Sequence, residues 1–184
     1  MARMETIDRN QATGQAKELL DSVNSQFGVV PNLMRGLANS PAVLGSYVNT
    51  YMELASGTLD PKLHDQIAVV VAEANGCEYC LSAHTALGKK AGLSDQQLAA
   101  ARDLNTGDIR IDAALTFARD IIVTRGHLTA AQFDAVRQAG YSDGEIVEII
   151  AHVAMNIFTN YFNNINHTEV DFPKVIPARN KAAA

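Results

Sequence analysis

The chain has 184 residues, 47% of them hydrophobic and 19% charged, with a formal net charge of −5; this is enough to bury one core and far from a disordered composition. No run of lysine or arginine offers a nucleic-acid face, and no apolar stretch is long enough to offer a membrane span or, at the start, a secretory leader. What remains is a single domain over residues 1–184, expected in the cytoplasm, where two cysteines read as redox or metal chemistry rather than as a structural disulfide.

Helix signals punctuate the chain from its start. Residues 11–26 are amphipathic, with Ala16, Leu19, Leu20, Val23 and Phe27 on one side and Gly28 as a stop. Pro31 opens a short helix ending near Asn39, Ser40-Pro41 opens one running to Gly57, and Asp60-Pro61 opens residues 61–74. Asn75-Gly76 breaks the pattern, because both residues tolerate positive φ. Helices are then expected over 77–91, 95–104, 109–125, 129–139 and 143–165. Three capping boxes support this assignment, pairing Ser94 with Gln97, Thr129 with Gln132 and Ser142 with Glu145. No segment alternates convincingly with period two; the β-branched run from Ile67 to Val71 starts behind a capped proline and reads as a buried helix. The expected class is all-α, about seven to nine helices, with an extended or frayed tail from Asp171 to Ala184.

One stretch reads as chemistry: Cys77-Glu78-Tyr79-Cys80-Leu81-Ser82-Ala83-His84, which holds both cysteines. At about 100° per residue, Cys77, Cys80 and His84 share one helix face, and Cys80 can reach both of the others. A helix N-terminus lowers a thiol pKa, and His84 can take a proton from Cys80 and return it to a leaving oxygen. If 61–74 and 77–91 form a hairpin about Asn75-Gly76, Asp65 comes level with His84 and can orient it. Glu73, an acid among Val69, Val70, Ala72 and Ala74, would lie nearer Cys77 or Tyr79, as part of the relay or of an interface ion pair.

The competing readings are two buried small hydrophobes, or a metal site of up to four ligands from C-x-x-C-x-x-x-H and an acid. Structural zinc, however, usually draws on two separated ligand pairs in a loop-rich setting. Glu148, His152 and Asn156, at four-residue steps, form a polar stripe read as an interhelical network rather than a pocket lining. Phe158, Tyr161 and Phe162 read as core or oligomer contacts. His64, His127 and His167 lack partners in the sequence pattern.

The run Asn75-Gly76-Cys77-x-x-Cys80-x-x-x-His84, with an acid twelve residues before the first cysteine, resembles the AhpD-like alkylhydroperoxidase and carboxymuconolactone decarboxylase superfamily. The match is strongest over about 59–92, the redox core. Glu148 to Asn164 and Thr168-Glu169-Val170-Asp171-Phe172-Pro173 are similar to long-chain members, and the C-terminal helices would span about 109–166. The resemblance implies an AhpD-like helical bundle, assembly as a homo-oligomer (dimer, trimer or hexamer) and peroxide reduction. It assigns peroxide attack to Cys80, resolution of the sulfenate to Cys77, and the relay to His84 and Asp65. The family's usual acid is glutamate; aspartate here requires closer helices, a bridging water or substitution by Glu73. Tyr79 stands where some peroxidases place a further histidine. Muconolactone-decarboxylating members typically lack the cysteine pair.

The sequence-based expectation is therefore thiol-dependent reduction of organic hydroperoxides. No haem, flavin or nicotinamide motif is present, so no cofactor is expected and the cysteines carry the electrons. A lipoyl-bearing or thioredoxin-like dithiol partner would restore them. The rival functions are a protein disulfide reductase and a metal-binding or structural oligomeric module.

Overall fold

The computed structural model describes residues 1–178. Among these residues the chain forms nine α-helices and no strand: α1 Gly14–Phe27, α2 Asn32–Leu37, α3 Pro41–Ala55, α4 Pro61–Asn75, α5 Glu78–Lys90, α6 Asp95–Arg102, α7 Ile109–Thr124, α8 Ala130–Gln138 and α9 Asp143–Asn166. The starts follow local chemistry. Pro41 and Pro61 sit in the first turns of α3 and α4, and Asp60 accepts the Lys62 N–H. All three expected capping boxes form, at α6, α8 and α9. None of these helices is long and apolar enough to cross a membrane.

Helix α4 is the axis of the bundle. Ile67, Val69, Val71 and Ala72 are fully buried, and the helix packs against α5, α6, α7 and α9. Each such branched side chain removed from water contributes roughly 1.5–3 kcal/mol. The β-branched run is thus a helix surrounded on all sides, which explains why it carries no amphipathic rhythm.

The turn after α4 fixes the path into α5. Gly76 adopts φ 62°, and the N–H groups of Gly76 and Cys77 return to the carbonyls of Glu73 and Ala72. This Schellman closure reverses the chain in two residues. The hairpin is close because Gly88 faces α4 and α6: a Cβ there would lie 2.9 Å from Leu98 Cδ2, 3.3 Å from Leu93 Cδ1 and 3.4 Å from Asp65 Cβ.

The segment after α9 is extended, as expected, but it is not frayed over its described part. Asp171 accepts the Asn32 N–H at the start of α2, and Phe172 packs edge-on against Tyr79 with centroids 5.8 Å apart. The Val175 N–H donates to Ser82 Oγ at 2.9 Å, and the Ala178 N–H to Glu73 Oε1 at 2.6 Å. The chain therefore straps the α4–α5 hairpin; residues 179–184 lie outside the described residues.

Gly88→Val should lower unfolding free energy by about 1–3 kcal/mol, because three extra carbons must enter this contact. Chemical denaturation measures it; an unchanged midpoint would show that the α4–α5 approach does not depend on this glycine.

Candidate active site

Helix α5 begins at the cysteine pair. Cys77 is its N-cap with an extended backbone, not its first helical residue, and its sulfur accepts the Cys80 N–H at 3.3 Å. Cys80 occupies the third helical position, where unpaired N–H groups and the helix dipole favour a negative sulfur. Both thiols are free and buried. Burial alone would raise the Cys80 thiol. The hydrogen bond with Cys77, the charge of His84, the bond from Asn163 and the nearby Asn160 amide outweigh burial and hold it below its ordinary value. Cys77 moves the other way, pushed up by its hydrogen bond to Cys80, then by burial and by the charge of Cys80.

One turn further along α5, His84 Nδ1 lies 2.9 Å from Asp65 Oδ1, both side chains being largely buried. Burial lowers the imidazole pKa, but the Asp65 hydrogen bond and charge, followed by the Cys80 charge, raise it above its ordinary value. The aspartate reaches the histidine directly, so neither a bridging water nor a substitute acid is needed. The contact is made across a hairpin that Gly88, with no side chain, lets pack closely.

Glu73 does not join this pair. Its carboxylate accepts Arg102 Nε at 2.8 Å and the Ala178 N–H, tying α4 to α6 and to the C-terminal strap. Tyr79 turns its hydroxyl to accept the Leu33 N–H at 3.0 Å and packs on Phe172.

Helix α9 supplies groups that the sequence reading missed. Asn163 Nδ2 donates to Cys80 Sγ at 3.2 Å, and Thr159 Oγ1 lies 4.0 Å from the same sulfur. Asn160 is fully buried beside them and accepts from Asn75 Nδ2. The signal was present: Glu148, His152, Asn156 and Asn160 continue one four-residue step, with Thr159 and Asn163 beside it.

Two cavities meet at His84. One, of about 160 Å³, is mainly apolar and reaches Cys80; the other, of about 150 Å³, is lined by Asp65, His64, His152 and Asn156 among others. Cys77 lines neither. In the second cavity His64 stacks on His152 with centroids 4.2 Å apart, a partner the sequence had not offered it. Glu148 does form a network, accepting from the backbone of Thr58 and Leu59. His152 instead lines the cavity, and its buried Nε2 has no hydrogen-bond partner. No cluster of three or more His, Cys, Asp or Glu among the described residues could hold a metal ion.

Two pH dependences follow from these environments. Alkylation of Cys80 by iodoacetamide, followed by mass spectrometry, should reach half-maximal rate below pH ~8.5, the ordinary cysteine value, with Cys77 lagging. Asp65→Asn should move that midpoint up by weakening the His84 charge; equal, ordinary titration of both thiols would contradict the charge arrangement. His152 is held down to about 4, first by burial and then by His64. The unfolded histidine, near 6.5, therefore protonates first as pH falls. The corresponding stability is complete above about 6.5 and is lost as pH drops toward 4. His152→Gln should reduce the stability difference between pH 7 and pH 4 by roughly 2 kcal/mol, allowing for partial solvent screening. Denaturation curves at both pH values measure this, and an unchanged difference would contradict it.

Comparison with known proteins matches one segment of the chain to a family and the whole to a fold. Residues 41–120 match the model of the carboxymuconolactone decarboxylase family. Among curated protein sequences, none matches. The fold is shared with an alkylhydroperoxidase AhpD core, a peroxidase-related protein from Ralstonia eutropha JMP134, at TM-score 0.80 and 24% identity, covering 92% of each chain. A peroxidase-related protein from Silicibacter sp. TM1040 superposes at 0.78 with 22% identity, over 92% of this chain and 94% of that one. The debrominase Bmp8 in complex with 2,3,4-tribromopyrrole superposes at 0.80 with 21% identity, over 93% and 92%. Residues 41–120 thus match the carboxymuconolactone decarboxylase family model, and the chain as a whole shares the AhpD-like fold.

Proposed function

We propose that this protein reduces organic hydroperoxides by cycling Cys77 and Cys80 between dithiol and disulfide. The observation that carries the reading is the asymmetry of the pair. Cys80 opens on a cavity with its thiol pKa lowered, whereas Cys77 is sealed behind it with its thiol pKa raised.

The Cys80 thiolate attacks a peroxide oxygen, forming an S–O bond as the O–O bond breaks. The leaving alkoxide takes a proton from the His84 imidazolium and departs as the alcohol. Asp65 positions His84 and stabilises its charged form. Conversion of Cys80 to a sulfenic acid removes the thiolate whose hydrogen bond and charge, together with burial, hold Cys77 protonated, so the resolving thiol is freed after the first step. Cys77 sulfur then attacks Cys80 sulfur, and hydroxide leaves with the Cys77 proton as water. A dithiol reductant, lipoyl-bearing or thioredoxin-like, restores both thiols. The exposed apolar residues Val147, Ile150, Phe158, Tyr161 and Ile165 along α9 support assembly with further copies of the chain.

A second reading is favoured by the apolar cavity and the debrominase neighbour: the same dithiol replaces a ring halogen by hydrogen, one haloarene and two thiols giving one arene, one hydrogen halide and one disulfide. Bromide release from a bromoarene against alcohol release from a hydroperoxide separates the two.

One equivalent of cumene hydroperoxide should remove two hydrogens from the peptide spanning 77–80, detected by mass spectrometry. Cys77→Ser should instead retain one added oxygen at Cys80, and Cys80→Ser should lose turnover. Full peroxide turnover in Cys80→Ser would overturn the assignment.

A further inference from the structure

The cavity above Cys80 has a size and a lining that select among organic substrates. Its volume is about 160 Å³, close to the ~150 Å³ of an apolar protein cavity that holds one benzene ring. Its walls come from several separate parts of the fold, including Tyr47 and Tyr51 of α3 and Thr159 of α9. Phe27 ends α1, Leu33 and Met34 lie on α2, Leu87 lies on α5, and Phe172 comes from the C-terminal strap. Leu33 and Met34 are buried in the core, and Cys80 and His84 stand together on the wall. Apart from His84, the charged lining residue is Lys90, which is exposed.

We infer that this cavity is a ring-sized apolar subsite, and that the organic half of the substrate is a compact, uncharged, monocyclic or similarly bulky group. The inference rests on the hydroperoxidase reading for the identity of the reacting group, but not for the existence of the subsite. Hydrogen peroxide would exchange a full set of water contacts for mostly hydrocarbon walls, an unfavourable trade for a small polar molecule. A single ring hides its surface from water inside the cavity while leaving its oxygens to Cys80 and His84. A long alkyl chain overfills the space and must leave much of its length in solvent. The reaction remains balanced: one hydroperoxide and two thiols give one alcohol, one water and one disulfide.

The test separates binding from chemistry. In Cys80→Ser, which cannot react, 2-phenyl-2-propanol should bind saturably by calorimetry. In the native protein, kcat/KM for cumene hydroperoxide should exceed those for hydrogen peroxide and for linoleate hydroperoxide by at least about tenfold each. Leu87→Trp should fill the cavity and reduce the ratio of cumene hydroperoxide to hydrogen peroxide tenfold or more. Val29→Trp, at the exposed rim, provides the same test at a position where the core is not disturbed. Melting temperatures report whether each variant folds. Ring binding without peroxide consumption supports the subsite and overturns the hydroperoxidase reading. Peroxide consumption without ring binding, or with equal preference for the three peroxides, overturns the subsite and leaves that reading standing.

Discussion

A thiolate inside an apolar core must be surrounded by groups that replace the water it has lost, and the architecture around Cys80 meets that requirement. Desolvation acts against the charged sulfur, so every compensating contact has to come from the protein. The α5 terminus, the Cys77 hydrogen bond, the His84 charge and the amide of Asn163 converge on one atom. Their sum reverses the direction in which burial would move the thiol.

That convergence draws on distant parts of the chain. Asp65 can hold His84 only because α4 and α5 run back against each other after a two-residue turn, with Gly88 in place of a side chain at the contact. Asn163 and Thr159 reach the sulfur because α9 packs along the same hairpin. The C-terminal strap closes the third side, fixed to Ser82 and Glu73 by backbone N–H groups. The Arg102–Glu73 pair therefore helps to place Phe172, a wall of the apolar cavity, without touching the sulfur.

Placing His84 between two unlike cavities divides the local environment. On the Cys80 side the walls are hydrocarbon; on the other the neighbours are Asp65 and the stacked His64–His152 pair. Burial holds both of those imidazoles toward their neutral forms, so they add little positive charge that could compete with His84 for Asp65. The carboxylate's hydrogen bond goes to one imidazole, that of His84.

Much of this was readable before any fold was known. The helix starts at Pro41, Pro61, Ser94, Thr129 and Ser142 are local, because caps and first-turn prolines act over three or four residues. The face shared by Cys80 and His84 is a matter of helix period, with Cys77 at the cap just before it, and the level of Asp65 is one of counting residues on either side of Gly76. Other features depend on distances between segments far apart in sequence, and no periodicity encodes those. Only packing decided that Glu73 belongs to Arg102 and the strap, that His64 stacks on His152, and that Asn163 rather than a residue of α5 donates to Cys80. The cavity, too, is defined by side chains from α1 to the strap, and its volume exists only once all of them are assembled. The sequence by itself determined the helices and the placing of the cysteine pair at the start of one; the tertiary structure decided which thiol faces the cavity, because that depends on what packs against each sulfur.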